Sequence, residues 1–138
     1  MLYLDTSCLP PYFTSETASE RARRFFAQEA GYGLSLWTIA EFHSALAMKA
    51  RMGMITSRLH ADLLAAFQTM VRELMDCWPV TASDFHDAAS FCDEPQLNLR
   101  AADALHLAVA RRQKATLVSL DAGLLKAARK LKIPTRTF

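Results

Sequence analysis

The sequence predicts an α/β fold in which a parallel sheet is covered by helices on both faces. Two observations carry that expectation. Short apolar runs suited to buried strands alternate with longer stretches of helical periodicity. No repeat, low-complexity tract or Pro/Gly/Ser-rich linker divides the 138 residues, a length that suits one domain spanning 1–138. With 51% hydrophobic and 22% charged residues, a core can form without staples. A net charge of +2 excludes a histone-like polycation and leaves room for a local basic face.

The elements follow in order. Met1-Leu2-Tyr3-Leu4, stopped by Asp5, reads as a buried strand. Thr17-Ala18-Ser19-Glu20 fits a capping box and opens a helix to about Ala30, ended by Gly31 and Gly33. Leu34-Ser35 is a brief strand, and Trp37 to Met52 is helical up to Gly53. Thr56 and Ser57 can cap a helix from about Arg58 to Met75, followed by a strand at Cys77 to Val80. Ser83 or Asp84 caps a helix through Cys92, and Asn98 caps another from Leu99 to about Gln113. Ala115 to Ser119 is β-prone, Asp121 to Leu131 is helical, and Pro134 to Phe138 suits a last strand.

In such open sheets ligands bind beyond the carboxyl ends of the strands, at the switch point of strand order. Two acids belong there, since Asp5 follows the first strand and Asp121 follows Leu117-Val118-Ser119-Leu120. Either could also start a turn or cap a helix, and a helix does begin at Asp121. Two more acids fall on apolar helix stripes. Glu41 aligns with Trp37, Ala45 and Met48, although Thr38 to Glu41 also fits a capping box. Asp103 aligns with Leu99, Leu107 and Ala110, with Arg100 as the one obvious local ion-pair partner. A carboxylate facing a core is costly unless paired, hydrogen-bonded or bound to metal. Jointly the four point to an acidic pocket that needs cations. Hard oxygen donors select Mg²⁺, with Mn²⁺ as the alternative, over zinc. Such ions activate water and steady the charge on a phosphodiester.

These residues, in this order, resemble the PIN-domain family and within it the VapC-type toxins of toxin–antitoxin systems. Leu4-Asp5-Thr6-Ser7 is similar to the family's opening strand and first metal-binding aspartate. Leu36-Trp37-Thr38-Ile39-Ala40-Glu41 resembles the helix that supplies a glutamate. Ala102-Asp103-Ala104-Leu105-His106-Leu107-Ala108 is the nearest match, and Leu117 to Asp121 resembles the late strand with the last acid. The resemblance implies a three-layer α/β/α sandwich around a mostly parallel five-stranded sheet. It implies a Mg²⁺- or Mn²⁺-dependent endoribonuclease, an antitoxin that blocks the pocket, and commonly a homodimer.

On that reading Asp5, Glu41 and Asp103 hold the principal metal and Asp121 completes the pocket. Water activated by metal attacks phosphorus without using the 2′-hydroxyl, leaving 5′-phosphate and 3′-hydroxyl ends. Ser7 bonds a carboxylate or the phosphate, or is a turn hydroxyl. Arg111, Arg112, Lys114, Lys126, Arg129, Lys130, Lys132 and Arg136 suit phosphate contacts, but cations also gather at helix C-termini for the macrodipole.

The other motifs are expected to be structural. His106, three residues after Asp103, is close enough to support a metal ligand but reads more readily as a partly buried, hydrogen-bonded histidine, and His43, His60 and His86 read as surface or packing residues. Trp37, Phe42, Met48, Phe67, Met70 and Met75 read as core, dimer or antitoxin contacts. Cys8, Cys77 and Cys92 form no CxxC pair and are expected to be reduced, buried and cytosolic. No signal peptide or membrane span is expected, which suits a cytoplasmic protein.

Rival classes fit less well. A phosphoacceptor receiver needs an acidic pair and a late lysine, where this chain has a single Asp5 and Ser119. An Asp-x-Asp phosphatase lacks its second acid in Asp5-Thr6-Ser7. A non-catalytic PIN-like module that binds RNA or protein stays open.

Overall fold

A computed structural model describes residues 1–29 and 31–138. Five strands, β1 (Leu2–Leu4), β2 (Tyr32–Ser35), β3 (Met75–Trp78), β4 (Thr116–Val118) and β5 (Thr135–Arg136), form one sheet in the order β3-β2-β1-β4-β5. Every pairing is parallel, with Leu4 opposite Val118 across the β1–β4 pair. The helices are α1 (Pro10–Phe13), α2 (Ser19–Gln28), α3 (Leu36–Arg51), α4 (Ser57–Leu74), α5 (Ala82–Cys92), α6 (Ala101–Arg112) and α7 (Ala122–Lys130). The expected fold class is present, and the sheet is wholly parallel.

The period-two alternation of the strands splits the core in two. Tyr3 and Leu117 face one way, onto Leu105, Val109, Leu124 and Ala128 of α6 and α7. Leu4, Leu34 and Val118 face the other way, onto Phe25, Phe42, Leu46 and Phe67 of α2 to α4. These are the three expected layers. The sheet order reverses beside β1: β2 and β3 grow from one side of it, β4 and β5 from the other. The crevice above the carboxyl ends of β1 and β4 is therefore the switch point.

Several boundaries differ from expectation for local reasons. The end expected near Ala30 lies outside the described residues. The capping box expected at Thr17 does not form: α2 starts at Ser19, whose hydroxyl donates to the Thr14 carbonyl at 2.6 Å, while Glu20 pairs with Arg24. Ser35 caps α3 with Thr38 as its reciprocal partner, so Glu41 sits inside the helix rather than in a cap. Thr81, not Ser83 or Asp84, caps α5; Asp84 is its return partner. Asn98 takes the left-handed conformation at φ 50° and closes a 3-10 turn, Pro95–Leu97, so α6 starts two residues later than expected. Asp103 is thereby in a first turn, where a negative charge suits the helix dipole, not mid-helix.

The cysteines are unpaired, but only Cys8 is buried; Cys77 and Cys92 are exposed. Among the described residues no helix is long and apolar enough to cross a membrane.

Gly33 does not break a helix; it lies inside β2 with the Trp78 indole packed flat against it. A methyl group there would fall well inside the contact radius of three ring carbons. Gly33→Ala is therefore expected to lower stability by about 1–3 kcal/mol through overpacking. In an unobstructed strand the same change would gain roughly 0.5–1 kcal/mol. The sign of the shift in a urea melt decides between the two.

Candidate active site

Asp5 ends β1 and starts a 3-10 turn, Thr6–Cys8. It is buried, at 4% exposure, and accepts three hydrogen bonds. Oδ1 takes the Ser7 backbone N–H at 2.8 Å and the Ser7 hydroxyl at 2.6 Å; Oδ2 takes the Ser119 hydroxyl at 2.7 Å. Each serine is itself held, Ser7 Oγ by Leu120 N–H and Ser119 Oγ by Asp121 N–H, both at 2.9 Å. The ends of β1 and β4 are thus laced together by hydroxyls around one carboxylate. Ser7 acts on Asp5, which settles its open role in favour of a carboxylate contact.

Glu41 reaches the same crevice from α3. Its Oε2 accepts from the Thr6 hydroxyl and from His106 Nε2, the latter at 2.7 Å. Burial pushes its carboxyl up, but these two bonds outweigh burial and hold it below the usual range. The Trp37 indole N–H, one turn back, also favours the charged form, although it does not close to hydrogen-bond distance. Glu41 Oε1 has no hydrogen-bond partner among the described residues.

Asp103 points in from the first turn of α6. Among the described residues its carboxylate has no hydrogen-bond partner. Burial pushes its carboxyl up, and the charges of Asp121, Asp5 and Glu41 push it further, against the opposing pull of His106. Asp121 is exposed and caps α7, accepting Leu124 N–H on Oδ1 at 2.9 Å. The capping role expected as an alternative is real, and it leaves Asp121 close enough to act on Asp103.

The four expected acids therefore meet within electrostatic reach at the switch point. They do not touch. Among the described residues no three Asp, Glu, His or Cys side chains stand at metal-ligand spacing. Like carboxylates repel, and Asp5 and Glu41 each lie beside donors of their own. Asp5 finds Ser7 and Ser119, Glu41 finds Thr6 and His106, and Asp103 finds none. The donor set nevertheless fits a hard divalent cation, because every acid offers oxygen and Asp103 bears its neighbours' charge with only His106 pulling the other way.

The basic residues expected to grip a substrate are mostly committed elsewhere. Arg111, Arg112 and Lys114 lie at the start of β4, at the sheet edge opposite Asp103. Arg112 grips Asp84 at 2.7 and 3.0 Å, and Arg111 pairs with Asp87 at 3.1 Å. Arg136 binds Glu29, Lys130 donates to the Gln96 carbonyl, and Arg129 donates to Thr135. Lys126 is the best placed, lining a cleft of about 240 Å³ with Gln96, Asn98 and Gly123 beside Asp121. Four residues of the site escaped the sequence reading: Tyr3, Thr6, Ser35 and Ser119. The available signal was polarity at strand ends, a hydroxyl after β1, β2 and β4 alike.

With the geometry in place, the comparisons are informative. The model of the PIN domain family matches residues 2–130. The chain belongs to the PIN-domain family. No curated protein sequence matches it closely enough to count as a relative. Solved structures of similar fold include FitAcB from Neisseria gonorrhoeae, with a TM-score of 0.78 at 18% identity, covering 98% of this chain and 96% of that one. VapC20 of Mycobacterium tuberculosis, described as a sarcin-ricin loop cleaving toxin, gives 0.74 at 18% identity, covering 92% and 95%. VapBC2 from Rickettsia felis, bound to a promoter DNA fragment, gives 0.71 at 13% identity, covering 99% and 98%. At such identities the likeness to these structures is one of fold. This PIN domain is similar to all three over nearly its whole length.

Proposed function

We propose that this PIN domain is a Mg²⁺- or Mn²⁺-dependent endoribonuclease that serves as the toxin of a toxin–antitoxin pair. The observation that carries the reading is Asp103: an inward carboxylate without a hydrogen-bond partner, facing three further acids at the switch point of a parallel sheet. Asp5, Glu41 and Asp103 would hold the cation, and Asp121 would complete the set. When bound, Mg²⁺ or Mn²⁺ supplies activation of water and neutralisation of charge at a phosphodiester. The chain's own work is to aim the ligands: Ser7 and Ser119 fix Asp5, and the first turn of α6 presents Asp103. Lys126 in its cleft beside Asp121 would contact a flanking phosphate.

The antitoxin, homodimer and cytoplasmic setting belong to the same proposal. The solved structures of similar fold include toxins and their complexes. The turn between α3 and α4 exposes Met48, Met52, Met54 and Leu59, an apolar surface of the kind protein partners cover.

The direct test incubates the protein with a structured RNA pool in Mg²⁺, Mn²⁺ or EDTA. Cutting is expected with either metal, to cease in EDTA, and to leave 5′-phosphate and 3′-hydroxyl ends. Products with cyclic phosphate would overturn the chemistry. The lack of three side chains at ligand spacing among the described residues favours a second reading, a non-catalytic RNA- or protein-binding module. RNA retained but uncut in every metal would select it.

A further inference from the structure

We infer that His106, oriented by Tyr3, is a positioning residue that aims Glu41 into the proposed metal site. The inference rests on the metal-nuclease reading.

His106 is 3% exposed, and Tyr3, Ser35 and Thr38 are fully buried. Four polar side chains in a core need partners, and they find one another. His106 Nδ1 lies 2.8 Å from the Tyr3 hydroxyl, which lies 2.8 Å from Ser35 Oγ. Ser35 Oγ accepts the Thr38 N–H at 3.2 Å in the cap of α3. At the other end His106 Nε2 is 2.7 Å from Glu41 Oε2. The chain runs through β1, β2, α3 and α6, and its outlet is the carboxylate of Glu41.

Donor logic fixes the step that reaches Glu41. An ionised Glu41 only accepts, so Nε2 carries the proton. Nδ1 lies against the Tyr3 hydroxyl, which lies in turn against Ser35 Oγ. The Tyr3 ring is fixed by the Trp78 indole, stacked at 5.8 Å and 19°. Both hydrogen bonds to Glu41 fall on Oε2. Oε1 is left for a cation, on a carboxylate that can no longer rotate freely. Glu41 is the partner that satisfies the buried Nε2, so the bond that fills a need of the core also holds the carboxylate.

The test compares Mn²⁺ affinity, by titration calorimetry and by the spin resonance of free Mn²⁺, in wild type, His106→Leu, His106→Gln and Tyr3→Phe, each with a thermal melt. Losing a group that orients a metal ligand costs roughly 10–100-fold in affinity. His106→Leu is expected to weaken Mn²⁺ binding by that factor. His106→Gln, whose amide still donates to Glu41, should recover most of it. Tyr3→Phe keeps the ring and its stacking but frees Nδ1, and should weaken binding about tenfold. In RNA cleavage kcat should fall while KM holds. The ¹⁵N shifts of His106 should show a protonated Nε2 in wild type and a changed Nδ1 environment in Tyr3→Phe.

Wild-type Mn²⁺ affinity in both His106→Leu and Tyr3→Phe overturns the inference and leaves the nuclease reading standing. If His106→Leu fails to fold, Tyr3→Phe decides alone. A wild-type chain that neither binds Mn²⁺ nor cuts RNA in any metal removes the nuclease reading and this inference with it.

Discussion

Replacing Asp103 by asparagine is expected to abolish RNA cleavage and, at the same time, to make the metal-free protein more stable. The two effects have one origin. Burial and the charges of Asp121, Asp5 and Glu41 raise the Asp103 carboxyl above its unfolded value. Folding therefore favours the protonated form, and the ionised form costs stability. That cost is absent below the unfolded pKa, grows as pH rises through the interval up to the folded pKa, and is complete above it. Asparagine removes the cost while preserving shape. In EDTA at pH 7 the variant should melt above wild type, and the difference should vanish as pH falls below the ordinary aspartate range. In excess Mg²⁺ the order should reverse, because only wild type gains stability from a bound ion. Cleavage should fall on the order of 10³-fold, as several kcal/mol of transition-state stabilisation disappears. Thermal melts with and without metal, beside a gel assay, test all of this. A variant that melts below wild type in EDTA would mean Asp103 is a structural acid.

Asp5→Asn should show the opposite stability sign with a similar loss of activity. All three groups around Asp5 are donors: Ser7 N–H, the Ser7 hydroxyl and the Ser119 hydroxyl. An amide offers one oxygen and one NH₂. With its oxygen turned to Ser7, its nitrogen faces Ser119 Oγ, which already accepts Asp121 N–H. One hydrogen bond is lost and a buried hydroxyl must turn, at about 1–2 kcal/mol. Some relief of acid repulsion offsets this. Cleavage should again drop on the order of 10³-fold. The informative measurement is the pair of melts: Asp5→Asn falling and Asp103→Asn rising in EDTA, both equally inactive. Two shifts of the same sign would show that the site's electrostatics are misassigned.

The contrast marks what the sequence can show. An acid directly after an apolar run has one place to go in a parallel sheet, so Asp5 and Asp121 announce the carboxyl edge. Glu41 and Asp103 stand out as acids on apolar faces. How each is satisfied is not legible, because the answers come from distant residues. Ser119 lies 2.7 Å from Asp5 across the β1–β4 pair, and Tyr3 joins β1 to α6 through His106. A tyrosine in an apolar strand reads as core, and Tyr3 is core, but its hydroxyl belongs to the site. The depth of Asp103 in its helix was hidden in Asn98, whose left-handed turn delays α6. Most of the basic residues, Lys126 aside, lie away from the site for a geometric reason: in a parallel α/β fold helix C-termini lie at the edge away from the crevice. Cations there answer the dipole, and Arg112 answers Asp84.

The position of β1 also sets a timetable. It is the middle strand of the sheet, yet one neighbour is formed by residues 32–35 and the other by residues 116–118. During synthesis one side of β1 waits, unpaired, while more than a hundred residues are added. A ribosome that has just passed α4 has delivered Asp5 and Glu41 but neither Asp103 nor the serine that anchors Asp5 from β4. The four acids first share a crevice when Asp121 has left the exit tunnel. The activity proposed for this fold is born late and all at once, when the finished surface is also first available to a protein that could restrain it.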